Sequence, residues 1–286
     1  MPYRLMQVGD LISFGALAIQ AWELFAHLTD EVEYLWKGRF NFIKALYFCS
    51  RYVSLAAQIV NQLLSYGIAI KLEKAGNCST IFVFKSVIGH AALTMLEIIL
   101  FIRVYALYKQ SLKIKYILAI VYICAASLEI VGNGFVIRSI IQTGGCQSPS
   151  MDNGALILFG SGAGFYQIAI FAMSLYKLYD GGLSKTPLTT LMLRDGVIVF
   201  VLLTAMMLVL LTYDSLARNL DLAFGKAFLS CFISVISISA SSLILNMRKL
   251  AVKNTLRSVG YRNTAEGGAE RSYITDESIC LTSFYE

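Results

Sequence analysis

Glu23, Arg51, Lys85, Glu97 and Glu129 each stand inside a long apolar run. A charged side chain at the centre of a bilayer costs about 2.5–3.5 kcal/mol on insertion scales. Such residues face one another or a hydrated interior, and the chemistry open to them is ion pairing, ligand recognition or proton movement. Helical spacing groups them by face. In the second run, Arg51, Ser54, Gln58, Asn61, Gln62 and Ser65 share one sector about 100° wide. Ser13, Gln20, Glu23 and His27 align in the first run, His90, Thr94 and Glu97 in the third, and Tyr122, Glu129 and Asn133 in the fourth. The seventh stacks Ser230, Ser234, Ser237 and Ser241. Matching depths by helical rise puts Glu23, Arg51, Gln58 and Glu97 into one inner polar network, with Arg51 paired to Glu23 or Glu97. Lys85 and Glu129 become an outer pair, and with His90 they are the candidate ligand pocket.

Other chemistries lack their residues. His27 and His90 are the only histidines, too few for a His-rich metal centre. No phosphate-binding loop, zinc spacing or Ser-His-Asp arrangement can be traced. Lys226 lies at the edge of its run, the wrong depth for a Schiff-base lysine. Gly160, Gly162 and Gly164 read as a close-packing surface for a neighbouring helix. Asp30, Glu31 and Glu33 read as a solvated boundary. The expectation is no metal, no cofactor and no enzyme.

The elements that must hold these residues are transmembrane helices. The chain has 286 residues, 57% of them apolar and 15% charged, with a mean hydropathy of +0.66. A soluble fold could not hide that much hydrocarbon. Runs of about 20 apolar residues suit a bilayer core, and they lie near 11–28, 43–70, 80–107, 116–137, 154–178, 196–216 and 222–246. The fold class is therefore an all-α seven-helix transmembrane bundle over 1–247, followed by a tail at 248–286. Lys and Arg number fifteen on one side of the spans and six on the other. The excess marks the cytosolic side, so the N-terminus lies outside and the C-terminus in the cytosol, most simply at the plasma membrane. The net charge of +6 follows from this bias and does not point to nucleic acid. In the tail, 248–259 reads as a basic amphipathic helix on the inner leaflet, with disorder after Gly260. Cys78 and Cys146 are the two cysteines on the oxidising side and are expected to form a disulfide.

Two resemblances rest on particular residues. The block Asp30-Glu31-Val32-Glu33-Tyr34-Leu35-Trp36-Lys37 precedes Lys44-Ala45-Leu46-Tyr47-Phe48 and Arg51-Tyr52. Further along come Arg103-Val104-Tyr105-Ala106-Leu107-Tyr108 and Leu193-Arg194-Asp195-Gly196. Together these resemble a family of seven-helix membrane proteins from basidiomycete fungi that carries no assigned activity. Ser242 stands where that family has Arg. More distantly, the chain is similar to G-protein-coupled receptors in its seven helices, its bridge from span 3 and Arg103-x-Tyr105 at the inner end of that span. Cys78 and Arg103 are 25 residues apart, about 37 Å of helix. Ile102 replaces the acid those receptors carry before Arg, and span 7 lacks Asn-Pro-x-x-Tyr. The likeness implies a small-molecule ligand, a cytosolic signalling partner and a coupling role for Arg103 and Tyr105. The rival expectation is a small-solute or proton transporter or channel that uses the same intramembrane charges.

Overall fold

The computed structural model describes residues 2–36, 41–70, 78–108, 111–142, 153–180, 196–206, 208–209 and 222–264. Every regular element among them is helical, as a chain in lipid requires: a helix satisfies its own N–H and C=O groups where no water can. The elements are α1 (Pro2–Glu31), α2 (Phe42–Phe48), α3 (Ser54–Ile70), α4 (Cys78–Leu107), α5 (Leu112–Gln142), α6 (Asn153–Asp180), α7 (Gly196–Met206) and α8 (Leu222–Thr264). A π turn, Cys49–Val53, joins α2 to α3, and the backbone stays right-handed helical at Phe48, Cys49 and Ser54. They therefore form one rod, so that the described residues make seven helical rods. A second π turn, Val32–Trp36, follows α1.

Among the described residues five helices are long and apolar enough to cross a membrane: Val8–Glu31, Val83–Leu107, Leu112–Gln142, Gly154–Lys177 and Ala227–Lys249. Their outer faces are hydrocarbon, with Leu11, Ile19, Trp22 and Phe25 exposed on α1 and Ile120, Ile123 and Ile130 on α5. That surface suits a lipid bilayer. Burial ranks the helices. In α8, 67% of the apolar window is inside the protein, and in α4 50%; in α1 and α5 the share is 17%. So α4 and α8 form the spine, through Leu93, Leu96 and Ile99 on one and Ile233, Ile236 and Leu243 on the other. The rod α2–α3 and α1 pack around α8, while α5 and α6 pack on each other and on α4.

Two details differ from the sequence expectation. Of the three clustered glycines only Gly162 is a packing contact. A Cβ there would lie 2.9 Å from the Ala125 carbonyl oxygen, whereas Gly160 and Gly164 have nothing within 4 Å. Its counterpart is Gly132 on α5, where a Cβ would meet the Phe159 backbone nitrogen at 2.7 Å. The tail also differs. Rather than ending near Val259, α8 runs unbroken through Gly260 to Thr264. A single glycine inside a helix costs only about 1 kcal/mol, too little to stop it.

Candidate functional site

Arg51 sits inside the π turn of the α2–α3 rod and is 3% exposed. Its Nη1 donates to Tyr47 Oη at 2.7 Å, and its Nη2 to the Glu23 and Leu24 carbonyls at 3.2 Å each. Two carboxylates neutralise it: Glu23 Oε2 lies 3.4 Å from Nη2, and Glu31 Oε2 lies 3.6 Å from Nε. Glu31 is fully buried. Its other oxygen accepts from Tyr52 Oη at 2.8 Å and from Trp36 Nε1 at 3.3 Å. This corrects the solvated boundary expected for Glu31. A π turn carries an extra residue per turn and resets the helical face; the turn after Glu31 brings Trp36 back to cap it. Glu97, the other carboxylate expected at Arg51, lies elsewhere.

Further along the α2–α3 rod, the next layer is uncharged. Gln58 Nε2 donates to Gln20 Oε1 at 2.8 Å, to Ser234 Oγ at 2.7 Å and to the Ser230 carbonyl at 3.0 Å. Gln20 Nε2 in turn donates to Ser237 Oγ at 3.0 Å. Ser237 Oγ donates to the Ser50 carbonyl at 2.9 Å, a group that the π turn takes out of regular i+4 pairing. Gln58 therefore belongs to a layer joining α1, the α2–α3 rod and α8, adjacent to the Arg51 cluster. On the opposite side, Lys249 Nζ reaches Asp30 Oδ2 at 2.6 Å, and His27 Nδ1 lies 3.6 Å from the same oxygen.

Glu97 and Glu129 meet in the other half of the bundle. They are 1% and 0% exposed, and Glu97 Oε1 and both Glu129 carboxyl oxygens are buried with no hydrogen-bond partner among the described residues. His90 Nδ1 lies 3.8 Å from Glu129 Oε2. Glu97, expected beside Arg51, is thus found with Glu129 and His90, while Lys85 is buried on α4. The cause is topology: α4 presents Glu97 to α5 and α6, away from α1 and Arg51. Tyr166 Oη donates to the Glu97 carbonyl at 2.9 Å and fixes α6 to α4 there. Gly162 leaves room for the Glu129 side chain, whose Cγ would be 3.0 Å from an added Cβ.

Arg103 is buried at the end of α4 nearest the tail, and Tyr105 packs against the core beside it. A cleft opens there between α4, α6 and α7, lined by Arg103, Leu107, Gln167, Ser174, Gly196 and Leu203 among others. The Cys78 and Cys146 side chains of the expected bridge lie outside the described residues; Cys49, Cys124 and Cys231 are free thiols. Among the described residues no group of three His, Cys, Asp or Glu side chains is placed to hold a metal ion.

Fold and burial define an all-α, membrane-type helix bundle with two separate polar interiors. Residues 11–56 match a family model described as "Family of unknown function (DUF6533)". The matched stretch takes in Glu23, Glu31, Trp36, Tyr47, Arg51 and Tyr52, the whole of the arginine cluster, and stops short of Gln58 and α4. No curated protein and no solved structure matches the chain.

Proposed function

We propose that the chain is a non-enzymatic, receptor-like helix bundle of the fungal seven-helix kind. It would sit in the plasma membrane with its N-terminus outside and a Cys78–Cys146 bridge on that side. A small molecule binds near Lys85, His90 and Glu129, and a cytosolic signalling partner reads the tail end of the bundle around Arg103 and Tyr105. The supporting observation is the cleft between α4, α6 and α7, because α4 carries both its Arg103 wall and the His90–Glu97 segment. A shift of α4 on ligand binding changes the cleft, and a ligand that prefers one arrangement moves the equilibrium.

The rival reading is a proton or small-solute transporter, favoured by the contact of His90, Glu129 and Glu97 inside the bundle. Two assays separate them. Proteoliposomes carrying an internal pH-sensitive dye report flux, and cells expressing the chain report a cytosolic response to added small molecules. The receptor reading expects no flux and a response that is lost in Arg103→Ala with surface expression retained. Proton flux abolished by Glu129→Gln would replace it with the transporter. Peptide mapping without reductant checks the bridge; recovery of both cysteines alkylated removes it.

A further inference from the structure

A row of polar groups runs along the α4–α5 seam, from the end opposite the tail towards the middle of the bundle. Ser86 Oγ donates to Asn133 Oδ1 at 2.5 Å. One turn deeper come His90 and Glu129, 3.8 Å apart, and then Glu97. The His90 side chain keeps 20% of its surface accessible, while both carboxyls are shut away. Glu97 Oε1, both Glu129 carboxyl oxygens and His90 Nδ1 are buried without a hydrogen-bond partner among the described residues, and burying an ionised carboxylate without a partner costs far more than burying the neutral acid. The titratable groups facing the pair are His90 on α4, Tyr122 on α5 and Tyr166 on α6. Lys85 sits five residues before His90 on α4. Tyr166 directs its hydroxyl to the Glu97 backbone, so it does not neutralise the carboxyls. Beyond Glu97 the row is closed by Ile99, Leu100 and Val104, all buried.

We propose that Glu97 and Glu129 form a proton-binding site, loaded through His90 from the end of the bundle opposite the tail. The imidazole takes a proton from a hydronium ion at its accessible side, one O–H bond breaking as an N–H bond forms. It passes its other N–H proton to Glu129; that N–H bond breaks as one O–H bond forms, the imidazole is neutral again, and the carboxyl pair loses one negative charge. The proton is then held between the two side chains. Removing it leaves two like charges in contact in a medium that screens them poorly, which drives α4 and α5 apart. The seam therefore binds a proton from one side, and the apolar plug beyond Glu97 stops it there. This deepens the assignment of the His90–Glu129 neighbourhood as the ligand pocket and rests on that assignment alone; it requires neither the cleft nor a signalling partner.

Infrared spectroscopy of the purified chain in lipid nanodiscs tests it, reading the carbonyl stretch of protonated carboxylic acids in H2O and D2O. Wild type at neutral pH is expected to show such a band, and Glu97→Gln/Glu129→Gln to lose it. His90→Phe, which keeps a ring against Phe159, should retain the band but shift in D2O about a hundredfold more slowly. Absence of the band from folded wild type at neutral pH overturns the proposal, as does a band that survives in the double variant. An unchanged deuterium shift in His90→Phe overturns the loading route. The spectrum contains no flux or signalling readout, so its failure is distinct from failure of the receptor reading.

Discussion

Gly132 and Gly134 lie two residues apart on α5, yet the surroundings of a Cβ at each could hardly differ more. At Gly132 it would lie 2.7 Å from the Phe159 backbone nitrogen and 2.9 Å from its Cα; at Gly134 nothing lies within 4 Å. The closest approach is about 0.7 Å short of the 3.4 Å at which ordinary contact begins. The obstacle is helix backbone, which cannot rotate aside, so α5 and α6 must separate. Gly132→Ala should cost about 1–3 kcal/mol from overpacking. Both substitutions gain the same helix-propensity contribution, about 1 kcal/mol, so it cancels in the comparison. Gly134→Ala is therefore expected to be the more stable variant by about 2 kcal/mol. Thermal unfolding in one detergent measures this, and soluble-protein entropies translate the gap into about 4–8 °C. Equal midpoints for the two variants would refute the close α5–α6 packing.

Arg51→Met leaves the buried Glu31 and the half-buried Glu23 without their cation, and should destabilise the fold by about 3–5 kcal/mol in the same unfolding assay. Adding Glu31→Gln should recover part of that loss, and no recovery would argue against the pairing. Lys249→Gln breaks an ion pair whose side chains are 34% and 35% exposed, so the cost should stay below about 1 kcal/mol and fade in high salt. Hydrogen exchange in nanodiscs should find backbone amides protected from Arg248 through Thr264, since α8 is unbroken there. Fast exchange immediately after Arg248 would contradict that helix.

Much of the architecture is legible in hydropathy, because a spanning helix must be apolar for its whole length and must satisfy its own backbone. The inward face of the α2–α3 rod is legible too: Arg51, Ser54, Gln58, Asn61 and Gln62, aligned by helical spacing, are all buried. Partnership is harder to read. Depth matching sets Glu97 level with Arg51, but depth is one coordinate and neighbourhood around the bundle is another. Glu97 faces α5, where Glu129 waits. Glu31 was hidden for a different reason. A helical wheel assumes constant steps, and a π turn beside the residue breaks that assumption without any proline to announce it. The stacked serines of α8 pointed to hydrogen-bonding glue; they serve Gln20, Gln58 and the Ser50 carbonyl, the last of which lies in the other π turn, Cys49–Val53.

The position of α8 in the spine has a consequence for synthesis. The ribosome delivers α1 and the α2–α3 rod first, and α8 last. Gln20 and Gln58 then enter the lipid before Ser230, Ser234 and Ser237 exist to receive them, and Asp30 precedes Lys249 by 219 positions. The arginine cluster is self-sufficient in that interval, since Arg51, Glu23, Glu31, Tyr47 and Tyr52 all come from the first two rods. Charge is settled early by a local helical hairpin, and the uncharged amides wait in a half-finished groove. Of these helices α8 is the one that closes it, so a chain halted before residue 222 would keep the ion pairs of Arg51 and still lack the α8 half of its spine.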